Sequence, residues 1–217
     1  MALRTLPFRQ YDEHDVINMF ALESAYVNEF TTGSGQTSYG DAGVFVTVAT
    51  GNLNLDTITY DNTYGSYLGN TNYPFVGANQ YPRVSLSVKP AVSGDALLGI
   101  TLRQTAQKDE NGEKLLYYPQ KAEELMTVLP GQSVPVATRG IFALSSAAFA
   151  NSSVPAVGSG FKLASGLSGQ VTGCTINDAF KVGTIIATGS RVAGGTTDQF
   201  AGSAGATGTY ALVGLGL

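Results

Sequence analysis

Charge is scarce in this chain. Asp, Glu, Lys and Arg make up 13 % of its 217 residues, where an ordinary soluble domain carries roughly a quarter. Apolar residues reach 43 %, too many for a disordered chain, so a charge-poor surface must draw its polarity from Ser, Thr, Asn and Gln or be covered by neighbours. Cys174 is the only cysteine, which excludes an intramolecular disulfide and a cysteine zinc cage built from one chain. There is one histidine, His14, and no tryptophan. The 12 Lys and Arg are scattered singly and the net charge is −4; without a basic stripe, no nucleic-acid partner is expected. No run approaches the ~18 apolar residues of a membrane span, and residues 1–11 hold Arg4, Pro7 and Arg9 but no apolar signal-peptide core. The chain is therefore expected to be made in the cytoplasm, without a membrane association.

Glycine is plentiful, with 27 residues concentrated in the second half, where short apolar runs alternate with turn clusters. Val84, Leu86 and Val88 alternate with Arg83, Ser85, Ser87 and Lys89, the period-two pattern of a strand with one buried face. Runs of the same kind recur at residues 44–48, 97–102, 134–137, 141–144, 183–188 and 210–215, each bounded by Gly, Pro, Asn or Ser-Gly. Helical stretches of about 10–15 residues do not intervene regularly, so βαβ units are excluded. The predicted fold is mainly β: a barrel or sandwich of short antiparallel strands with an extended N-terminal arm and at most one or two short helices. A boundary near Tyr81-Pro82 divides residues 1–81, the arm and an Asn/Tyr-rich β region, from residues 82–217, a Gly-rich barrel-like domain.

Locally, residues 98–107 and 114–118 flank Asp109-Glu110-Asn111-Gly112-Glu113, and Asn-Gly suits the two φ > 0 positions of a type I′ hairpin turn. That register places Asp109 opposite Lys114, a pair worth about 0.2–1 kcal/mol. Asp12 is a candidate cap for a helix through Val16, Ile17 and Phe20, but the same residues read as a strand. A helical turn or two is predicted over residues 122–128 after Pro119. Residues 51–80, rich in Asn, Tyr, Thr and Gly, form either a contact loop or a loop packed on itself, and residues 189–209 a long loop leading into a closing strand.

Candidates for chemistry are few. His14 stands in Asp12-Glu13-His14-Asp15, whose side chains cannot all point inward from one helix or strand, so a solvated polar turn is expected rather than a metal or acid–base site. A Ser-His-Asp triad would need that same histidine, and no Gly-x-Ser-x-Gly elbow surrounds any serine. Residues 109–113 lack the spaced ligands of a calcium loop. Gly158-Ser159-Gly160 starts like a dinucleotide fingerprint, but Leu163 stands where the next glycine is required. Cys174 has no cationic sequence neighbour to activate it. No catalytic residue, metal or cofactor is expected.

Residues 88–102, then Leu129-Pro130-Gly131-Gln132-Ser133-Val134-Pro135-Val136-Ala137-Thr138-Arg139-Gly140-Ile141-Phe142, residues 158–163, Val182-Gly183-Thr184-Ile185-Ile186-Ala187 and Tyr210-Ala211-Leu212-Val213 resemble the succession of short strands in capsid decoration proteins of tailed bacteriophages. The opening Phe8-Arg9-Gln10-Tyr11-Asp12-Glu13-His14-Asp15-Val16-Ile17-Asn18 is similar to those of virion structural proteins of cyanophages and related phages. The chain is longer than the smallest decoration proteins. The resemblance implies a non-enzymatic cement protein on the capsid exterior, with the major capsid protein as partner and a dimer or trimer as its own state. The alternatives are a tail or baseplate protein, or a glycan-binding β-sandwich module. The residues assigned to partner contact are Leu3, Leu6, Phe8 and Tyr11: Pro7 biases Leu6 toward extended backbone, and an arm with these side chains is expected to dock on a neighbour as an added strand unless it folds back on its own domain.

Overall fold

A computed structural model describes residues 4–27, 39–50, 86–109, 111–166, 169–191 and 208–216; the stretch 51–80 and most of 189–209 lie outside them. The strands in chain order are β1 (Thr5–Gln10), β2 (Val16–Ile17), β3 (Phe20–Leu22), β4 (Phe45–Thr50), β5 (Leu86–Pro90), β6 (Gly99–Thr101) and β7 (Gln104–Thr105). They continue as β8 (Thr127–Val128), β9 (Val136–Ala137), β10 (Gly140–Ser145), β11 (Gly160–Leu163), β12 (Val171–Cys174), β13 (Gly183–Arg191) and β14 (Gly208–Leu215). The single α-helix among the described residues is α1 (Pro119–Glu124), with Pro119 at its first position, where a missing N–H costs nothing. Sheet 1 runs β1-β10-β14-β13-β11-β12, and sheet 2 runs β2-β9-β6-β4-β5-β3. The chain is mainly β and sandwich-like, without a closed barrel.

Alternation along the strands decides which face meets which core. In sheet 2, Phe45, Ile100 and Ala137 stand side by side across three strands. They share a buried cluster with Phe142, Leu144, Phe161, Leu163, Ile185, Val213 and Leu215 of sheet 1. Phe45 and Phe161 meet edge-on across the gap, ring centres 5.9 Å apart at 62°, a favoured aromatic geometry. Gly183 lies beneath Phe161: a Cβ there would fall 2.5 Å from the ring, so only glycine lets the ring settle against β13. One residue on from Phe45, Val46 faces the opposite way, into a second cluster with Phe20, Leu22, Val88, Val128, Val134 and Val136. Sheet 2 is thus covered on both faces.

The expected strands at 44–48, 97–102, 134–137, 141–144, 183–188 and 210–215 overlap β4, β6, β9, β10, β13 and β14, and of the 84–88 pattern residues 86–88 lie in β5 while 84 and 85 lie outside the described residues. Most pairings are antiparallel, but β3 with β5 and β7 with β8 are parallel. The ambiguous segment after Asp12 resolves as a single 3-10 turn, Glu13–Asp15, running into β2. Strands from either side of Tyr81-Pro82 share sheet 1 and sheet 2 alike.

The hairpin expected around Asn111-Gly112 needs correction. Chain reversal does occur there, through a Gly112 N–H to Asp109 C=O bond at 3.1 Å with Gly112 at φ +85°, but Asn111 is not in the positive-φ region. The ladder is one bridge, Lys108 opposite Lys114. The second arm is a 3-10 turn, Leu115–Tyr117, because of its four successive apolar residues, 115–118, only Leu115 has a small core to enter, with Ala106 and Ala122.

Replacing Phe161 by Ala removes the ring that joins the two sheets. The expected loss is ~3–5 kcal/mol of unfolding free energy, read from the shift in urea midpoint at unchanged slope.

Candidate functional site

Of the four residues assigned to partner contact, the three among the described residues do not lie on a free arm. Leu3 lies outside the described residues, whereas Leu6 and Phe8 are part of β1, which pairs antiparallel with β10 of its own chain. Between Thr5↔Leu144 and Arg9↔Phe142 the ladder slips, β1 bulging where Pro7 stands. Proline is tolerated there because β1 is the edge strand of sheet 1 and its outward side needs no ladder donor. Tyr11 follows β1 and stacks on Phe142 at 6.0 Å and 21°. Three polar ties finish the attachment: Ser145 N–H donates to Arg4 C=O at 2.8 Å, Arg4 Nη1 to Gly169 C=O at 3.1 Å and Arg9 Nη1 to Leu102 C=O at 3.0 Å. Arg4 is buried; burial pulls its pKa down and Asp41 opposes that pull. A guanidinium retains its charge even so, so it must be partnered to be buried. The arm is extended, as expected, but intramolecular.

His14 is exposed, its side chain 96 % open, and its Nδ1 lies 2.7 Å from Asp12 Oδ1. Asp12 caps the 3-10 turn by accepting the His14 N–H at 2.9 Å, and these bonds from His14 hold its pKa below the usual value. Among the described residues no three His, Cys, Asp or Glu side chains gather as a metal site. Cys174 is half-buried on β12; burial, then Asp178, pushes its pKa up, which disfavours the nucleophilic thiolate. Beside it Lys162 donates to Asp178 at 2.8 Å. Cys174 borders an open depression of about 640 Å³ with Pro155, Val157 and Ile176. The Gly158 turn, at φ +81°, shapes the rim of that depression.

The excursion between β7 and β8 carries what sequence reading missed. Its anchor is Asp109, a carboxylate with no exposed surface. Oδ1 accepts the N–H groups of Asn111 at 2.9 Å and Glu113 at 2.8 Å, and Oδ2 takes the Lys121 ammonium from α1. Asp109 therefore pairs with Lys121, not with Lys114. The Lys121 bond, aided by the two amides, holds its pKa below the ordinary value against the opposing effect of burial. On this anchored excursion Leu116 is 65 % and Tyr117 70 % exposed, with Tyr118 and Met126 also open to solvent. The run Leu115-Leu116-Tyr117-Tyr118 is the sequence signal that could have found them, since a strand of the expected kind would alternate.

Two measurements check these assignments. Deleting residues 2–10 should lower the melting temperature by more than about 5 °C, since each kcal/mol is worth roughly 2–4 °C at this size; an unchanged melt would mean that β1 contributes nothing. Asp109→Asn should lower the urea midpoint at pH 7. Because the folded-state pKa is depressed, the stabilisation is complete above the unfolded value of about 3.9 and is lost as pH falls through the folded one, so the gap between variant and parent should close in acid.

No protein-family model, curated protein or solved structure matches the chain, and its functional reading rests on sequence and geometry alone.

Proposed function

We propose that this chain is a non-enzymatic structural protein of a tailed-phage virion that binds the outer capsid lattice and cements the head. The observation that carries this reading is the run Leu116-Tyr117-Tyr118, held open to solvent on a charge-poor chain by an excursion pinned through Asp109 and Lys121. Large amphipathic side chains on a rigid support suit a contact surface, because tyrosine offers wide contact at small conformational cost. Repeated over a lattice, one modest interface of this kind gains strength by avidity and needs no deep pocket. The partner on this reading is the major capsid protein, and the excursion replaces Leu3, Leu6, Phe8 and Tyr11 as the surface that meets it.

Co-sedimentation of the purified chain with capsid shells stripped of it is the test. The parent chain should pellet with shells, and Leu116→Ser with Tyr117→Ser should weaken retention about tenfold or more while the melt moves little, since both residues are exposed. Retention on tails instead of shells, or binding to a glycan array without shell binding, would overturn the proposal.

A further inference from the structure

We infer that the outer edge of β13 beyond Ile185 is a self-pairing surface, taken up by the same edge of a second copy of this chain; this stands whether or not the protein binds a capsid. Next to β13, β11 pairs only at Gly183 and Thr184, with two further backbone bonds from the 158–159 turn to Ile185. From there β13 continues to Arg191, still laddered to β14 as far as Arg191↔Gly208. Its other side has no backbone partner among the described residues over Ile186–Arg191. Alternate residues of an antiparallel strand aim N–H and C=O away from the partner they have, so this stretch presents an open ladder.

The edge is also undefended. Proteins that keep such edges apart place Lys, Pro, inward charges or bulges on them; here a bulge stands only at the start of the stretch, between Ile185 and Ala187, and Ile186-Ala187-Thr188-Gly189-Ser190 has neither charge nor proline. Ala187, Thr188 and Ser190 are exposed and small, so two backbones can approach to ladder distance. The strand is stiffened too: Gly189 pairs with Tyr210, whose ring occupies the space a Gly189 Cβ would need, 2.6 Å from that position. An aromatic laid over an edge glycine fixes register and orders the backbone.

A second copy is the occupant that fits. Identical neutral edges related by a two-fold are self-complementary and set no like charges opposite one another. Opposite residues of an antiparallel pair share a face, so identical edges must centre on a residue; centred on Gly189, Arg191 falls opposite Ala187 of the other copy and not opposite itself. A charged peptide would find no counter-charge on Ile186–Ser190.

Sedimentation velocity of the full chain over a wide concentration range, with amide hydrogen exchange at matched concentrations, tests this. The expected result is a dimer that dissociates on dilution, outward-facing amides among 187–191 whose protection is lost with it, and a monomer for Thr188→Lys with Ser190→Lys at an unchanged melt. A monomer at every concentration overturns the inference. So does protection of the outward-facing amides that ignores concentration, which would mean that the chain covers its own edge, or a dimer that survives both substitutions. Should the lysine variant misfold, exchange in the unmodified chain decides alone.

Discussion

β14 is the strand on which sheet 1 depends. It pairs with β10 along Gly140↔Leu215 to Ser145↔Tyr210 and with β13 along Gly183↔Leu215 to Arg191↔Gly208. Without it the sheet separates into a two-stranded β1-β10 ribbon, marginal alone in water, and a three-stranded β13-β11-β12 piece. Its inward residues Ala211, Val213 and Leu215 fill the centre of the inter-sheet core. The ladder to β10 spans about seventy residues of sequence, so the loop-closure entropy of a long excursion must be met before the core rewards it. The ladder to β13 is a hairpin in sequence order, and the two ladders converge on the same strand.

Burial of β1 follows from this arrangement. β10 has β14 on one side and would otherwise show an open edge on the other, close to Phe142 and Leu144 of the core. β1 closes that side, and Arg4 and Arg9 reach on to carbonyls of Gly169 and Leu102, tying sheet 1 to the loop after β11 and to the end of β6. The segment most easily read as a free arm is therefore one of the ties between the sheets.

How much of this was legible in the sequence depends on the range of the interaction. The short apolar run Val44 to Val48 and punctuation by glycine around Gly183 are local signals, and both strands stand where those signals put them. Pairing partners are not local: nothing in Phe8-Arg9-Gln10 says that Ile141 and Phe142 will lie beside it. The Asp109 turn shows the same limit from the other side. Its reversal was readable in Asn111-Gly112, but the carboxylate's true partner, Lys121, is set by how α1 packs through Ala122 against Ala106 and Leu115, a tertiary fact. For the site, the extended backbone of residues 5–10 was legible, but its pairing with β10 was not, since the edge of its own sheet takes up such a strand as readily as a partner does.

The surface left over after folding is unusual in a way that connects these points. Sheet 2 uses both faces for its own clusters, so its interior offers nothing to a partner. Among the described residues, the most exposed large apolar side chains lie on connections, Leu116, Tyr117 and Tyr118 beside α1 and Val157 and Phe180 around the turns flanking β11 and β12, while Val48, Ile186 and Tyr210 are partly open on strands. Phe180 is 70 % exposed although it sits next to Asp178 and Lys181, whose charges would ordinarily keep a surface wet. With charged residues at 13 % of the chain, there is little electrostatic repulsion to hold copies or partners apart. On the proposed reading, the aromatic tips on pinned connections and the neutral ladder on one edge are surfaces whose covering asks for no rearrangement of the core.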